Sequence, residues 1–119
     1  MISVQTEDFD LASEYHALRQ RAGDAGAIVT FTGLVREIHD HKTGDAIQTL
    51  TLEHYPGMTE KSLQQILSVA EQRWSLLAAR IIHRVGTLYP QEQIVLVGTA
   101  SRHREDAFAA AQYLMDYLK

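Results

Sequence analysis

The chain has 119 residues, 45% of them hydrophobic and 22% charged, which is enough for one globular domain with its own core. A formal net charge of −4 argues against general nucleic-acid binding, which needs a basic surface, and the lack of cysteine excludes disulfides, zinc-thiolate sites and a cysteine nucleophile. No apolar run approaches membrane-spanning length and the acidic start MISVQTEDFD is no signal peptide, so a soluble, cytoplasmic protein with no membrane partner is expected.

Ile2 to Phe9 reads as a short edge strand, and Asp10 as the N-cap of a helix running to about Arg21, with Leu11, Tyr15 and Leu18 on one side and Gly23 as its stop. After the turn Gly23-Asp24-Ala25-Gly26, the β-branched and aromatic run AIVTFTGLVR predicts a strand over 27–36. Its alternation puts Ala27, Val29, Phe31, Gly33 and Val35 on one face. The polar stretch 37–46 predicts a loop with the mobility common to such segments, and 47–55 a further strand. Too few residues separate 27–36 from 47–55 for a helical crossover, so a long antiparallel hairpin is expected.

Pro56-Gly57 ends that strand, and Thr59 caps a helix whose Leu63, Ile66, Leu67, Ala70 and Trp74 form an apolar stripe. Runs 79–89 and 93–100 are β-rich, separated by Pro90-Gln91-Glu92, and are expected to pair. The stretch from Ser101 to Lys119 reads as an amphipathic helix with Ala107, Phe108, Ala111, Leu114, Met115 and Leu118 facing a core. The order β-α-β-β-α-β-β-α, without repeats or linkers, predicts a single α+β domain over 1–119, a largely antiparallel sheet with packed helices.

Six histidines raise the question of a metal, with His39-Asp40-His41 the densest group. Two histidines one residue apart lack the helical i, i+4 geometry of common zinc sites, and His54 and His83 fall in strands where a hydrogen-bonded structural histidine is the simpler reading, so no metal is expected. There is no nucleophile elbow, no phosphate-cradling glycine loop and no carboxylate pair marked by spacing; nothing sets Glu53 or Glu60 apart from surface glutamates. What remains is cationic: Arg36 at a strand end, the Arg102-His103-Arg104 cluster at a helix start, and Lys119. Free N–H groups, guanidinium forks and an imidazole at one helix start favour a phosphate or carboxylate.

TFTGLVR (30–36), TLEHYPGMTEKSL (51–63), IHRVGTLYP (82–90), SRHREDAF (101–108) and MDYLK (115–119), in that order along almost the whole chain, resemble the catalytic, large subunit of molybdopterin synthase. The resemblance implies an α/β-hammerhead-like fold. It also implies a sulfur-transfer enzyme that converts cyclic pyranopterin monophosphate into the dithiolene of molybdopterin, in molybdenum cofactor biosynthesis. Sulfur would come from the C-terminal thiocarboxylate of a small β-grasp partner, with no cofactor of the chain's own, which fits a chain lacking cysteine. The implied assembly is a homodimer of large subunits within a heterotetramer.

Matched residue by residue, the resemblance implies that Lys119 is catalytic and that Arg36, His103, Arg104 and Phe31 bind substrate. Family members continue past the matched lysine with a basic and aromatic tail, and a polypeptide truly ending at Lys119 is expected to bind and turn over substrate more weakly. In one continuous helix His103 and Lys119 stand 16 positions apart, roughly 24 Å at about 1.5 Å per residue, so His103 and Arg104 are expected to face Lys119 and Arg36 of a neighbouring subunit. Two other functions fit parts of the pattern: a non-catalytic docking module for the β-grasp carrier, which explains the matched blocks, and a generic phosphate binder, which explains only the cations.

Overall fold

A computed structural model describes residues 1–39, 46–47, 50–52 and 57–118, with the side chains at 38–39, 46–47 and 50 left out of the description. The described elements run β1 (Ile2–Gln5), α1 (Leu11–Ala22), β2 (Ala27–Leu34), β3 (Ile38–His39), β4 (Ala46–Ile47), β5 (Leu50–Leu52), α2 (Met58–Arg73), β6 (Leu76–Arg84), β7 (Gly86–Leu88), β8 (Gln93–Ser101) and α3 (Arg104–Leu118). The expected α+β class with a largely antiparallel sheet and packed helices is what the chain adopts.

The run QIVLVGTAS of β8 has an unbroken apolar stretch, Ile94 to Val97, and is buried from Val95 to Ser101, so both of its faces are covered and it sits inside the main sheet. That sheet has the order β1-β6-β8-β2. β8 pairs antiparallel with β6 (Ile81 opposite Val97) and with β2 (Phe31 opposite Val97), while β1 lies parallel to β6 at the edge. Alternation then divides the core. Ala79, Ile81, Val95 and Val97 point to one face and pack with Leu63, Leu67 and Ala70 of α2 and Ala111 and Leu114 of α3. Ala100, with Ile28 and Ala78, points to the other face and meets Leu18 and Ala22 of α1; Ile82 and Leu96 meet Phe9. Each large aliphatic side chain fully covered this way contributes about 1.5–3 kcal/mol.

Local chemistry sets the helix ends. The Asp10 carboxylate accepts from the Ser13 N–H at 3.2 Å, and Gly23 at φ 64° closes α1 by donating to the Arg19 carbonyl, as the sequence predicts. The buried side of α1 is Leu18 and Ala22; Leu11 and Tyr15, expected beside Leu18, are exposed. α1 lies so close to the sheet that a Cβ on Gly98 would come 2.8 Å from Leu18 Cδ2. α2 begins one residue before the expected cap Thr59. Gly57, at φ 86°, is its N-cap, and the Glu60 carboxylate accepts from the Gly57 N–H at 3.3 Å.

Two expectations need correction. Among the described residues the hairpin of 27–36 with 47–55 is not seen: β2 pairs with β8, and Leu50–Leu52 of the second segment pairs with β7. β8, buried on both faces, lies between β6 and β2, and just beyond β2 the described residues Ile38 and His39 pair with Ile47 and Ala46. The run 79–89 is also two strands, because Val85 and Gly86 (φ 89°) turn the chain out of the main sheet before β7. The antiparallel pairing of the flanking runs is as expected. The expected loop mobility, the Gly44-Asp45 turn and the strand end at Tyr55-Pro56 lie outside the described residues.

Candidate functional site

β8 ends at Ser101 because its polar groups are spoken for elsewhere: Ser101 Oγ donates to the Ser75 carbonyl at 2.9 Å, and the Gly26 N–H donates to the Ser101 carbonyl at 3.0 Å. Arg102 and His103 then bend, and the helix begins at Arg104, three residues later than the sequence stripe implies. Only Arg104 of the cationic cluster is inside the first turn. The fully buried Thr99 hydroxyl donates to the Ala107 carbonyl at 2.7 Å, tying that turn to the strand before it. The backbone of this corner is therefore fixed, whereas Arg102, His103 and Arg104 are exposed.

Acidic neighbours offset part of the positive field. Arg102 Nε lies 3.6 Å from Asp24 and Arg104 Nε 3.9 Å from Glu105, in exposed geometries where a pair is worth roughly 0–1 kcal/mol. Glu105 and Asp106 also complement the helix dipole. With an anion present, the two arginine forks have little to lose by turning to it.

Arg36 lies at the other end of β2. The strand's register shifts between Gly33 and Leu34, after which Val35 donates its N–H to the Glu92 carbonyl at 2.9 Å and accepts from the Gln91 N–H at 2.7 Å. The next residue, Arg36, is exposed. Midway along β2, Phe31 is 44% exposed and lines a groove of about 240 Å³ with Phe108, Gln112 and Met115 of α3.

The chain thus separates the sequence-identified residues into two sets. Ala27 pairs with Ser101 and Leu34 with Gln93, so Arg36 and the His103-Arg104 pair mark opposite ends of the β2–β8 ladder. Nine residue steps from Ala27 to Arg36 at about 3.3 Å each put roughly 30 Å of extended chain between them. α3 folds back over β2, with Phe108 and Met115 beside Phe31. The C-terminal end of α3 is steadied by an aromatic stack: ring centroids are 5.4 Å apart for Trp74 and Tyr113 and 5.0 Å for Tyr113 and Tyr117, and the Arg73 guanidinium sits 4.6 Å over Trp74. Lys119 itself lies outside the described residues.

Sequence reasoning treats Phe108 and Met115 as core; half-buried Met115 does pack against the core, whereas Phe108 is 61% exposed, and both line the groove. At 100° per residue they sit about 80–100° round the helix from Ala107, at the margin of the stripe, and that offset is the signal for them. His83 Nδ1 is 2.9 Å from the Arg84 carbonyl, in keeping with a structural histidine, and Glu60 is occupied in the α2 cap. Asp40, His41, Glu53 and His54 lie outside the described residues, as does the side chain of His39. Among the described residues no three His, Asp or Glu side chains gather as a metal site. No helix there is long and apolar enough to cross a membrane.

The profile of the MoaE protein family matches residues 4–119. The chain is 54% identical over 118 residues to the molybdopterin synthase catalytic subunit of Vibrio cholerae, covering 99% of this chain and 76% of that one. Identity to the molybdopterin synthase catalytic subunit of Ralstonia nicotianae is 53% over 118 residues, covering 99% of this chain and 65% of that one. The solved structure of a molybdopterin biosynthesis MoaE protein from Burkholderia ambifaria is similar at a TM-score of 0.87 and 47% identity, covering all of this chain and 76% of that one.

Proposed function

The chain belongs to the MoaE family of molybdopterin synthase catalytic subunits, and from that premise we propose that it transfers sulfur from the C-terminal thiocarboxylate of a small β-grasp partner to cyclic pyranopterin monophosphate, forming the molybdopterin dithiolene. The placement of two cationic sets at opposite ends of β2 and β8 carries the residue assignments. A single chain holds Arg36 at one end, the Phe31 groove midway, and His103 and Arg104 at the other end. Two copies related by a twofold axis can bring one chain's His103 and Arg104 to its neighbour's Arg36 and Lys119, making two composite sites per homodimer. With a small subunit at each outer end the assembly is a heterotetramer, and the reaction belongs to the cytoplasm.

In that site the arginine forks hold the cyclic phosphate through charge-assisted, bidentate hydrogen bonds, and His103 hydrogen-bonds it or moves a proton. The pterin rings lie against Phe31. Lys119 acts as a base or stabilises the oxyanion that develops when the thiocarboxylate carbon is attacked. The sulfur is delivered by the partner, so the chain uses no cofactor of its own.

The test mixes the chain with thiocarboxylated partner and cyclic pyranopterin monophosphate and measures dithiolene product. Product that disappears on Lys119→Ala, with partner binding retained, is the expected result. Partner binding without product in the unaltered chain supports the docking-module reading instead.

A further inference from the structure

We infer that Arg84 and Glu92 are positioning residues for Arg36, holding the strand exit from which its guanidinium reaches the substrate; the inference rests on the substrate-binding role proposed for Arg36. A long exposed side chain binds a phosphate well only if its Cα is already in place, since every backbone degree of freedom fixed on binding subtracts from affinity. Arg36 lies two residues past the end of β2, where a strand exit ordinarily loosens. Here the preceding residue, Val35, is held through both its N–H and its carbonyl by the turn at Gln91 and Glu92.

That turn does not hold itself. Gln91 adopts φ 74°, a left-handed conformation that a non-glycine residue adopts only at some cost. Glu92 stabilises it from both sides: its Oε2 accepts from the Tyr89 N–H at 2.6 Å, its N–H donates to the Tyr89 carbonyl at 3.1 Å, and its Oε1 lies 3.4 Å from Arg84 Nη1. Arg84 is 6% exposed. Its Nη1 also donates to the Gln93 carbonyl at 2.9 Å, and its Nε and Nη2 donate to the Thr6 carbonyl at 3.2 and 2.8 Å.

Packing alone does not explain a guanidinium at that depth, because an apolar side chain of similar volume fills space without the desolvation penalty. What the guanidinium adds is direction: it joins the segment after β1 to the start of β8 and orients the Glu92 carboxylate that closes the turn. The chain of contacts then reads Thr6, Arg84, Glu92, Val35 and Arg36. The last is the one expected to touch substrate.

The experiment is a double-mutant cycle on the chain assembled with its thiocarboxylated small partner, with KM and kcat measured for cyclic pyranopterin monophosphate. Glu92→Ala is expected to raise KM about fivefold, the equivalent of one ordinary hydrogen bond, with kcat within about twofold. Glu92→Gln, which keeps an acceptor oxygen for the Tyr89 N–H, is expected to recover about half of that loss on a logarithmic scale. In an Arg36→Ala background the Glu92→Ala effect is expected to vanish, because a residue that acts through Arg36 has nothing left to position.

An unchanged KM in Glu92→Ala, or an effect that persists in full in the Arg36→Ala background, overturns the inference while leaving the role of Arg36 intact. If Arg36→Ala itself leaves KM unaltered, the reading of Arg36 as a substrate ligand is what fails, and the inference goes with it. Should Glu92→Ala not fold, Arg84→Lys, which keeps the charge but loses the planar fork, enters the same cycle with the same outcomes deciding.

Discussion

The two ends of the β2–β8 ladder present cations in opposite ways. At the corner between β8 and α3, Arg102, His103 and Arg104 are consecutive, near a helix start, with acidic side chains at 3.6 and 3.9 Å. At the other end the described cation is Arg36, carried on an irregular strand exit and backed by a buried guanidinium. Charge density at a helix start marks the corner; a single guanidinium on a braced strand exit marks the other end. A phosphate-bearing ligand gripped by both would meet several clustered cations on one side and a single placed fork on the other. That complementarity is the physical case for a site shared between two copies.

Mixing variant subunits gives the largest expected effect. In the proposed composite sites, Arg36→Ala and Arg104→Ala homodimers would each lack one half of every site and are expected to lose about a hundredfold or more in sulfur transfer, as for lost charge-assisted contacts at a reacting centre. Unfolded together and reassembled at equal concentration, half of the dimers are mixed and each carries one intact site of two, so about a quarter of unaltered activity returns. No recovery in the mixture, with mixed dimers demonstrated by mass, would place all the cations in one chain's own site.

The contrast between the ends also shows what a sequence reveals. The corner was legible because an Arg-His-Arg run before an apolar stripe is a local pattern, and so were α1 with its Asp10 cap and the pairing of the two β-rich runs before α3. The partner of β2 was not. Turn length favoured 47–55, whereas the two-sided burial of β8, a property of the whole sheet, decided in favour of β8. The Arg84–Glu92 support was equally hidden, since eight positions along the chain carry no sign that one guanidinium reaches Thr6 as well. Phe108 was misassigned to the core because periodicity locates a stripe more sharply than its margins. The family resemblance supplied the roles of Arg36, Phe31 and Lys119, which no spacing singles out.

A smaller, one-ended effect is expected from Gly26→Ala. A Cβ there collides with the Arg102 carbonyl oxygen, a backbone atom that cannot swing aside, so the corner must shift. Overpacking of this kind costs about 1–3 kcal/mol, to be read as a lower urea midpoint at unchanged slope. Gly23→Ala is the control. A Cβ at Gly23 meets nothing within 4 Å, and its cost, about 1 kcal/mol, comes from φ 64° alone. If the corner is the rigid base for His103 and Arg104, Gly26→Ala weakens phosphate binding and Gly23→Ala does not. Equal binding in the two would show that the cluster tolerates a displaced backbone.

The smallest expected effect belongs to the exit and depends on pH. Gln93 Nε2 donates to Asp8 Oδ1 at 2.8 Å, the Phe9 N–H donates to the same oxygen at 2.8 Å, and Arg84 Nη1 lies 3.8 Å away. Those donors, the Gln93 amide first, hold the Asp8 carboxyl below its ordinary value of 3.8. A carboxylate with a depressed folded pKa favours the native state by its full amount above the ordinary value, and that amount is lost as pH falls through the folded pKa. Asp8 is largely exposed, so solvent screens the effect and only a shallow loss is expected. Asp8→Asn keeps an acceptor for both donors and removes the charge, so its stability should differ from that of the unaltered chain at neutral pH and converge with it below the carboxylate range. Denaturant titrations across pH measure the gap; one that stays constant to the acid limit would mean that the charge of Asp8 contributes nothing. Because Asp8 contacts both Arg84 and Gln93, which adjoin Glu92 in space and in sequence, its protonation should loosen the support of Arg36. Thr99 and Ser101 hold the corner between β8 and α3 with hydroxyls that do not titrate in this range.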